Sequence, residues 1–400
     1  MYTTNEVSAP PIDRTGTEAA ELSTRLTGSA MKLVSRSGTA RRTRLPALGS
    51  APRAGSRVTI VIPAYNYARY LQDCVASALA QRDVDVSVII ADDCSTDDTL
   101  AVAQMLAAAD QRVAVIHNDR NIGQIPTVNA ALSTVETEYV VKLDADDLLP
   151  PGSLARSVGL MQARPDVAFV YGRPRHFSGA VPAVGDKAAR SWTIWSGEEW
   201  IAGRCKSSAN VISQPEAVIR TDLARSAGWF DAGLPHTFDM CLWLVLATMG
   251  NVGRVNGATQ GLYRVHDASM QRTIHAGIMI DLQGRRAAFE RTFDRHGAGL
   301  RDVARLREMA RQGLAVTALD RACRAYDRGR VNQEPVDALA EFARSVYQEA
   351  EQLAEWQALA RRRLAGPRRA AHSPRFLADA VTRRISDELC YRNWLRTGEW

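Results

Sequence analysis

Lysine is nearly missing from this chain: Lys32, Lys142, Lys187 and Lys206 are the only four, so its 50 basic residues are almost all arginine. Arginine in so Ala-rich a background follows from coding bias, and a net charge of +6 over 400 residues gives little reason to expect a nucleic-acid partner. Long apolar runs are missing too. None approaches the roughly 20 residues that cross a bilayer, and no charged-then-apolar signal opens the chain. The expectation is a cytoplasmic protein without a membrane span, with at most peripheral membrane contact through its basic leader. The six cysteines, at 74, 94, 205, 241, 323 and 390, show neither CxxC spacing nor a paired framework, so neither zinc nor disulfides are expected.

What is present is ample material for a core. At 46% hydrophobic and 24% charged, the chain is long enough for one large or two ordinary domains. Residues 1–56 are rich in Ser, Thr, Gly, Pro and Arg and read as a mostly disordered basic leader, with room for a short helix around 18–33. From Val58 the pattern changes. Short β-branched runs at 58–62, 86–91, 113–117, 139–143 and 167–171 alternate with helical spacing over 69–81, 99–109, 127–135 and 153–163. The runs are nearly continuous in apolar residues, as strands buried on both faces should be. Such alternation predicts an α/β fold with a doubly wound, mainly parallel sheet, whose ligands sit beyond the carboxyl ends of the strands.

Residues 172–268 are less regular, with Trp192, Trp195 and Trp200 close together and an apolar helix expected over 239–249. After Ser269 the chain turns helical. One helix is expected over 301–328, and Val336, Leu339, Phe342, Val346, Ala350, Leu353, Trp356 and Leu359 recur at steps of three and four. A final helical stretch over 376–395 follows the break at 366–374. This region, 269–400, is expected to serve packing, dimerisation or acceptor capture.

The chemistry-bearing residues follow strands. The first strand ends in Pro63-Ala64-Tyr65-Asn66, and the second in Asp92-Asp93-Cys94-Ser95-Thr96-Asp97-Asp98. Helix capping accounts for Ser95, Thr96 and Asp97 but not for Asp93, which a base or ribose could use as an acceptor. The fourth strand ends in Lys142-Leu143-Asp144-Ala145-Asp146-Asp147. Three carboxylates within four residues repel one another, and burying any of them unpaired is costly. A hard divalent cation, Mn²⁺ or Mg²⁺, resolves that cost and suits a site that holds a diphosphate. The bland alternative is an acidic loop capping the helix after Pro150-Pro151.

Taken in order, PAYN, DDCSTDD, Asn121-Ile122-Gly123 and LDADD resemble the donor half of family 2 glycosyltransferases with the GT-A fold. The resemblance divides the chain into a donor half at 57–171 and an acceptor half at 172–268. It implies that Pro63, Ala64, Tyr65 and Asn66 line a nucleotide together with Asp93 and Gly123, and that Asp144 and Ala145 lie against it, with Lys142 a neighbour that moderates the acidic cluster. Asp146 becomes the direct metal ligand. The resemblance continues through Gly228-Trp229-Phe230-Asp231 to Asp239, which matches the general base of the family, while Phe238 stands where the family has Glu. Tyr263-Arg264-Val265-His266 matches a closing loop, with His266 on the metal or diphosphate and Arg264 beside it; His236 and Trp195 are further acceptor or loop candidates.

The implied activity is a metal-dependent, inverting transfer of sugar from a nucleotide sugar, UDP-linked by resemblance, to a saccharide, lipid-linked, natural-product or peptide acceptor. A non-catalytic binding protein of the same fold is one alternative, with a homodimer through the helical C-terminus compatible with either. A nucleotidyltransferase is the other, but it would carry a Gly-rich basic loop where this chain has PAYNYARY. A polymerising membrane synthase does not fit, because QxxRW is missing after Asp239 and there are no spans.

Overall fold

A computed structural model describes residues 42–47, 51–266 and 277–398. Its strands are β1 (Thr43–Pro46), β2 (Arg57–Ala64), β3 (Asp85–Asp92), β4 (Val113–His117), β5 (Tyr139–Lys142), β6 (Val167–Phe177), β7 (Ser191–Trp195), β8 (Val218–Arg220) and β9 (Asn251–Arg264). The helices of the first part are α1 (Ala68–Leu79), α2 (Thr99–Ala109), α3 (Gln124–Ser133), α4 (Ser153–Ala163), α5 (Gly197–Ser207), α6 (Thr221–Ala227) and α7 (Phe238–Met249). Those that follow are α8 (Ile278–His296), α9 (Val303–Asp327), α10 (Val336–Val346), α11 (Ala354–Ala365), α12 (Pro367–His372) and α13 (Pro374–Thr397).

The strands form one sheet in the order β1-β7-β9-β6-β8-β5-β2-β3-β4. β4, β3, β2 and β5 are all parallel, as the alternating pattern predicts. β6 and β9 are parallel as well, and short β8 joins the halves by pairing antiparallel with both β5 and β6. The two longest registers, β2 with β3 and β6 with β9, are parallel. Strand β2 shows why its sequence is apolar on both sides: Ile60 and Ile62 pack with Leu71, Val75 and Leu154 on one face, while Val61 packs with Val128, Leu132 and Trp243 on the other. A strand so enclosed has no solvent face, and a period of two disappears from its sequence.

Four expectations change. The expected leader contains β1, which adds an antiparallel edge to β7, with Arg44 Nε donating to Ser191 Oγ at 3.0 Å; the helix suggested near 18–33 lies outside the described residues. The stretch 172–268 carries β7, β8 and the 14-residue β9. Glycines disguise β9 as loop, yet Gly261 is required there, because a Cβ would come within 2.7 Å of the Glu216 backbone nitrogen. Helix α8 precedes the one expected at 301–328. The 336–359 periodicity belongs to two helices: the chain leaves α10 at Tyr347, and Arg344 closes the turn by pairing with Glu351 at 2.7 Å and covering the Trp356 ring. A reversal that keeps buried residues in phase leaves no mark on periodicity.

The C-terminal helices are not a separate body. Phe289 and Phe293 of α8 and Leu314, Ala318 and Leu319 of α9 share one core cluster with Trp243 and Leu244 of α7 and with Trp200 and Cys205 of α5. Helix α9 crosses α5 so closely that a Cβ on Gly313 would lie 2.3 Å from the Cys205 carbonyl oxygen. Gly313→Ala is therefore expected to destabilise the protein by about 1–3 kcal/mol despite alanine's better helix propensity, because the obstacle is backbone. Thermal denaturation checks this. Along α13, Leu377, Val381, Ile385 and Leu389 face outwards. No helix among the described residues is long and apolar enough to cross a membrane.

Candidate active site

The carboxyl ends of β2, β3 and β5 open on the same side of the parallel sheet, and the loops after them carry the acidic motifs. After β5, the chain turns through Leu143 to Asp147, with Asp147 N donating to Asp144 O at 2.9 Å. Buried Lys142 reaches Asp144 Oδ1 at 2.5 Å, and Gln124 Nε2 donates to the same oxygen at 3.2 Å. Asp147 is almost fully buried. Its Oδ1 accepts from Arg264 N at 2.8 Å, while Oδ2 has no hydrogen-bond partner. Burial, reinforced by Asp146 and Asp144, pushes the Asp147 carboxyl well above the usual carboxylate range. Burial and the Asp144 charge also raise Asp146, against the opposing hydrogen bond from His266.

The end of β9 supplies the other half of this cluster. Leu262 and Leu148 exchange backbone hydrogen bonds in an isolated antiparallel bridge, which brings the residues after Leu262 over the acidic turn. Arg264 Nε donates to Asp146 O at 2.9 Å, and its guanidinium lies between the Tyr70 and Phe177 rings at 4.6 and 4.7 Å. His266 Nε2 lies 2.8 Å from Asp146 Oδ2, with the Tyr70 ring 5.3 Å away. Asp146 and the closing-loop candidates Arg264 and His266 thus lie in contact, with His266 120 residues along the chain from Asp146. Among the described residues, no three His, Cys, Asp or Glu side chains are arranged to hold a metal by themselves. The unsatisfied Asp147 oxygen and the carboxylates crowded beside it nevertheless suit a cation that takes its remaining ligands from diphosphate and water.

At the β2 and β3 ends the roles divide. Pro63 and Ala64 are buried strand residues, and Ala64 O accepts from Asp93 N at 2.9 Å, so Tyr65, 43% exposed, is the first side chain after β2 with free surface. Asn66 sits at φ 61°, and its Oδ1 accepts from Thr96 N at 2.8 Å and Asp97 N at 3.3 Å. Its side chain clamps two loops together. Asp93 also works within the protein: Oδ1 accepts from Ile122 N and Asn118 Nδ2, both at 2.9 Å, and Oδ2 from Gly123 N at 2.8 Å. Burial raises the Asp93 carboxyl, but these hydrogen bonds outweigh it and hold it below its ordinary range. Asp93 therefore fixes the loop before α3 through the backbone of Ile122 and Gly123.

Asp239 lies in the first turn of α7, half-buried. Its Oδ2 accepts from Asn210 Nδ2 at 2.7 Å. Burial raises the carboxyl, Met240 N, Lys142 and Asn210 oppose the rise, and the Asp144 charge adds to it. The same Lys142 that binds Asp144 stands 5.5 Å from the ring of Phe238, the neighbour of Asp239. The acidic turn and the base candidate thus share one electrostatic environment. Phe238 is buried edge-on against Phe230 at 5.1 Å, which is the packing reason an apolar residue holds that position.

Two residues escaped the sequence reading. Asn210 carries no motif, and Glu216 reads as an ordinary loop acid. Glu216 is buried, with Oε1 accepting from Ser213 N at 2.7 Å, and burial pushes its carboxyl up to about 7. Trp195 is corrected in the opposite direction: it ends β7 fully in the core, stacked on Tyr171 at 6.1 Å, so it offers no ring to a sugar. Trp192 and Trp200 are buried too. His236 sits half-buried in the turn leading into α7.

The family profile described as Glycosyl transferase family 2 matches residues 59–221, which include the β2, β3 and β5 loops. This chain carries a family 2 glycosyl transferase domain. Chondroitin synthase of Escherichia coli is 34% identical over 199 residues, covering 50% of this chain and 28% of that protein. Hyaluronan synthase of Pasteurella multocida is 44% identical over 97 residues, 24% of this chain and 10% of its own length. The chain thus spans less than a third of the length of these curated relatives. The first 349 residues of S. aureus TarS, solved in complex with UDP-GlcNAc, superpose with a TM-score of 0.55 at 14% identity, over 80% of this chain and 91% of that one. The transferase domain has the GT-A fold, and the profile match ends at Thr221, so Asp239, Arg264 and His266 lie beyond it.

Proposed function

We propose that this protein is an inverting glycosyltransferase that moves a sugar from a nucleoside diphosphate sugar, UDP-linked by family resemblance, to an acceptor hydroxyl. The observation that carries the reading is the convergence of β5, β9 and α7: Asp146 with His266, and Asp144 with Lys142, share one end of the sheet with Asp239. Tyr65 and the Asp93-braced loop flank the nucleotide there.

Asp239 takes the proton of the acceptor hydroxyl while that oxygen attacks the anomeric carbon from the face opposite the diphosphate. The carbon–oxygen bond to the diphosphate breaks, the nucleoside diphosphate leaves with the electron pair, and the single displacement inverts the configuration. A divalent cation, Mn²⁺ or Mg²⁺, held by Asp146 and His266 would offset charge on the diphosphate. Lys142 and Arg264 temper the acidic turn and keep its carboxylates in place. The curated relatives named for chondroitin and hyaluronan favour a saccharide acceptor. The cytoplasm, where nucleotide sugars are supplied, is the compartment that suits this donor.

The test is nucleoside diphosphate release from UDP-, dTDP- and GDP-sugars with Mn²⁺, Mg²⁺ or chelator. Cation-dependent release from one donor supports the reading and names the sugar. If no donor is cleaved and no nucleotide binds with cation present, the protein is not a glycosyltransferase.

A further inference from the structure

The α5–β8 connection contains a short segment, residues 208–211, that is tied down from far along the chain. Ser208 has no exposed surface and a left-handed backbone, φ 47°. Its hydroxyl lies 2.8 Å from Thr317 Oγ1 of α9, 109 residues away, and its carbonyl accepts from Arg285 Nη1 of α8 at 2.9 Å, 77 residues away. Val211 O accepts from Trp394 Nε1 of α13 at 3.0 Å, 183 residues away. Between these tethers stands Asn210. Its amide is engaged at both ends, Oδ1 accepting from Ile212 N at 3.2 Å and Nδ2 donating to Asp239 Oδ2 at 2.7 Å. Turned over, the amide would set its oxygen against the carboxylate and its NH₂ against a backbone N–H, so the orientation is decided by the network.

Helix α13 is itself anchored where it supplies the indole. Arg254, buried in β9, donates to the carbonyls of Trp394 and Leu395 at 3.4 and 3.1 Å, and Tyr171 Oη donates to Gly398 O at 3.0 Å. The C-terminal helices therefore grip the loop that carries Asn210.

We propose that Asn210 is the positioning residue for Asp239, and that the C-terminal helices hold it in register through Ser208 and Val211. This rests on the reading of Asp239 as base. Asn210 donates one hydrogen bond to the carboxylate and so aims its other lone pairs while favouring the charged form. The remaining charges facing Asp239 are Lys142 and Asp144 at the end of β5 and Glu216 at the far end of the same loop; on α8, Asp281 and Arg285 pair with each other. The helical region is in this view part of the catalytic apparatus, acting through one side chain.

The experiment is a carbon-13 carboxyl NMR titration of the full chain, with the Asp239 signal assigned by its loss in Asp239→Asn, beside UDP release by hydrolysis of the best UDP-sugar substrate across pH. In Asn210→Ala the Asp239 midpoint should move to higher pH. The acid limb of the rate profile should follow it, with kcat down about tenfold and the donor KM unchanged. Trp394→Phe, which keeps an aromatic ring but deletes the N–H, should shift both in the same direction by less. A wild-type midpoint and profile in Asn210→Ala, with Asp239→Asn inactive, overturns the positioning role and leaves the base intact. Full activity in Asp239→Asn removes the base, and with it this role. A normal midpoint in Trp394→Phe beside a shifted one in Asn210→Ala refutes the part assigned to the C-terminal helices.

Discussion

Asp239→Asn is expected to lower the rate of sugar transfer by about 10²–10⁴-fold while leaving nucleotide affinity nearly unchanged, because it removes a proton acceptor and little else. The substitution is almost isosteric, and an amide can keep a contact with Asn210 after reorienting. Asp239 also lies in the first turn of α7, outside the loops that follow β2 and β3. Activity requires the ionised form. Burial holds the Asp239 carboxyl above its ordinary value, so the rate should fall on acidification at a pH above the usual carboxylate range. Steady-state kinetics of both proteins across pH, with isothermal titration of UDP as the binding control, read out the two halves of this expectation. A variant with wild-type kcat would move the base elsewhere, and Glu216, buried nearby with its carboxyl pushed up to about 7, would be the next carboxylate to replace.

The second large effect is expected at Asp146. Asp146→Asn should abolish cation-stimulated release of the nucleoside diphosphate, a loss of about 10²–10³-fold, and weaken cation-dependent nucleotide binding. The same change should make the metal-free protein more stable at neutral pH. Burial and the Asp144 charge raise the Asp146 carboxyl above its unfolded value, so its protonated form favours the fold and that advantage is lost as pH rises through the raised folded value. An amide resembles the protonated acid and carries no charge into the cluster. Denaturation at pH 7 with chelator should therefore show a higher Tm for the variant, together with lost activity. A site whose charges strain the empty protein is one arranged for a ligand; an unchanged or lower Tm would mean that the His266 contact already satisfies Asp146.

Much of the donor half was legible in residues. Strands β3, β4 and β5 and helices α2 and α4 fall within a residue or two of their expected bounds, since uninterrupted Val and Ile runs and helical spacing report burial on two faces or one. The acidic motifs were legible for the same reason: a carboxylate directly after such a strand must meet a partner. The later strands were not. β7 carries two tryptophans that suggest a sugar platform, and β9 is interrupted by glycine, asparagine and arginine. Whether a tryptophan faces Tyr171 or a substrate depends on which strands lie beside it, and no local pattern contains that.

The sequence by itself determined the parallel half of the sheet, the donor-side carboxylates at its edge and the helical character of the C-terminus, because each depends on residues within about a turn or a strand of one another. Only the tertiary structure decided the rest. It spent Asn66 and Asp93 on bracing loops, set His266 against Asp146 through the Leu148–Leu262 bridge, and placed Asn210 against Asp239. Those contacts join residues 29 to 120 positions apart, and their partners are chosen by packing and hydrogen-bond satisfaction in a folded core rather than by spacing along the chain.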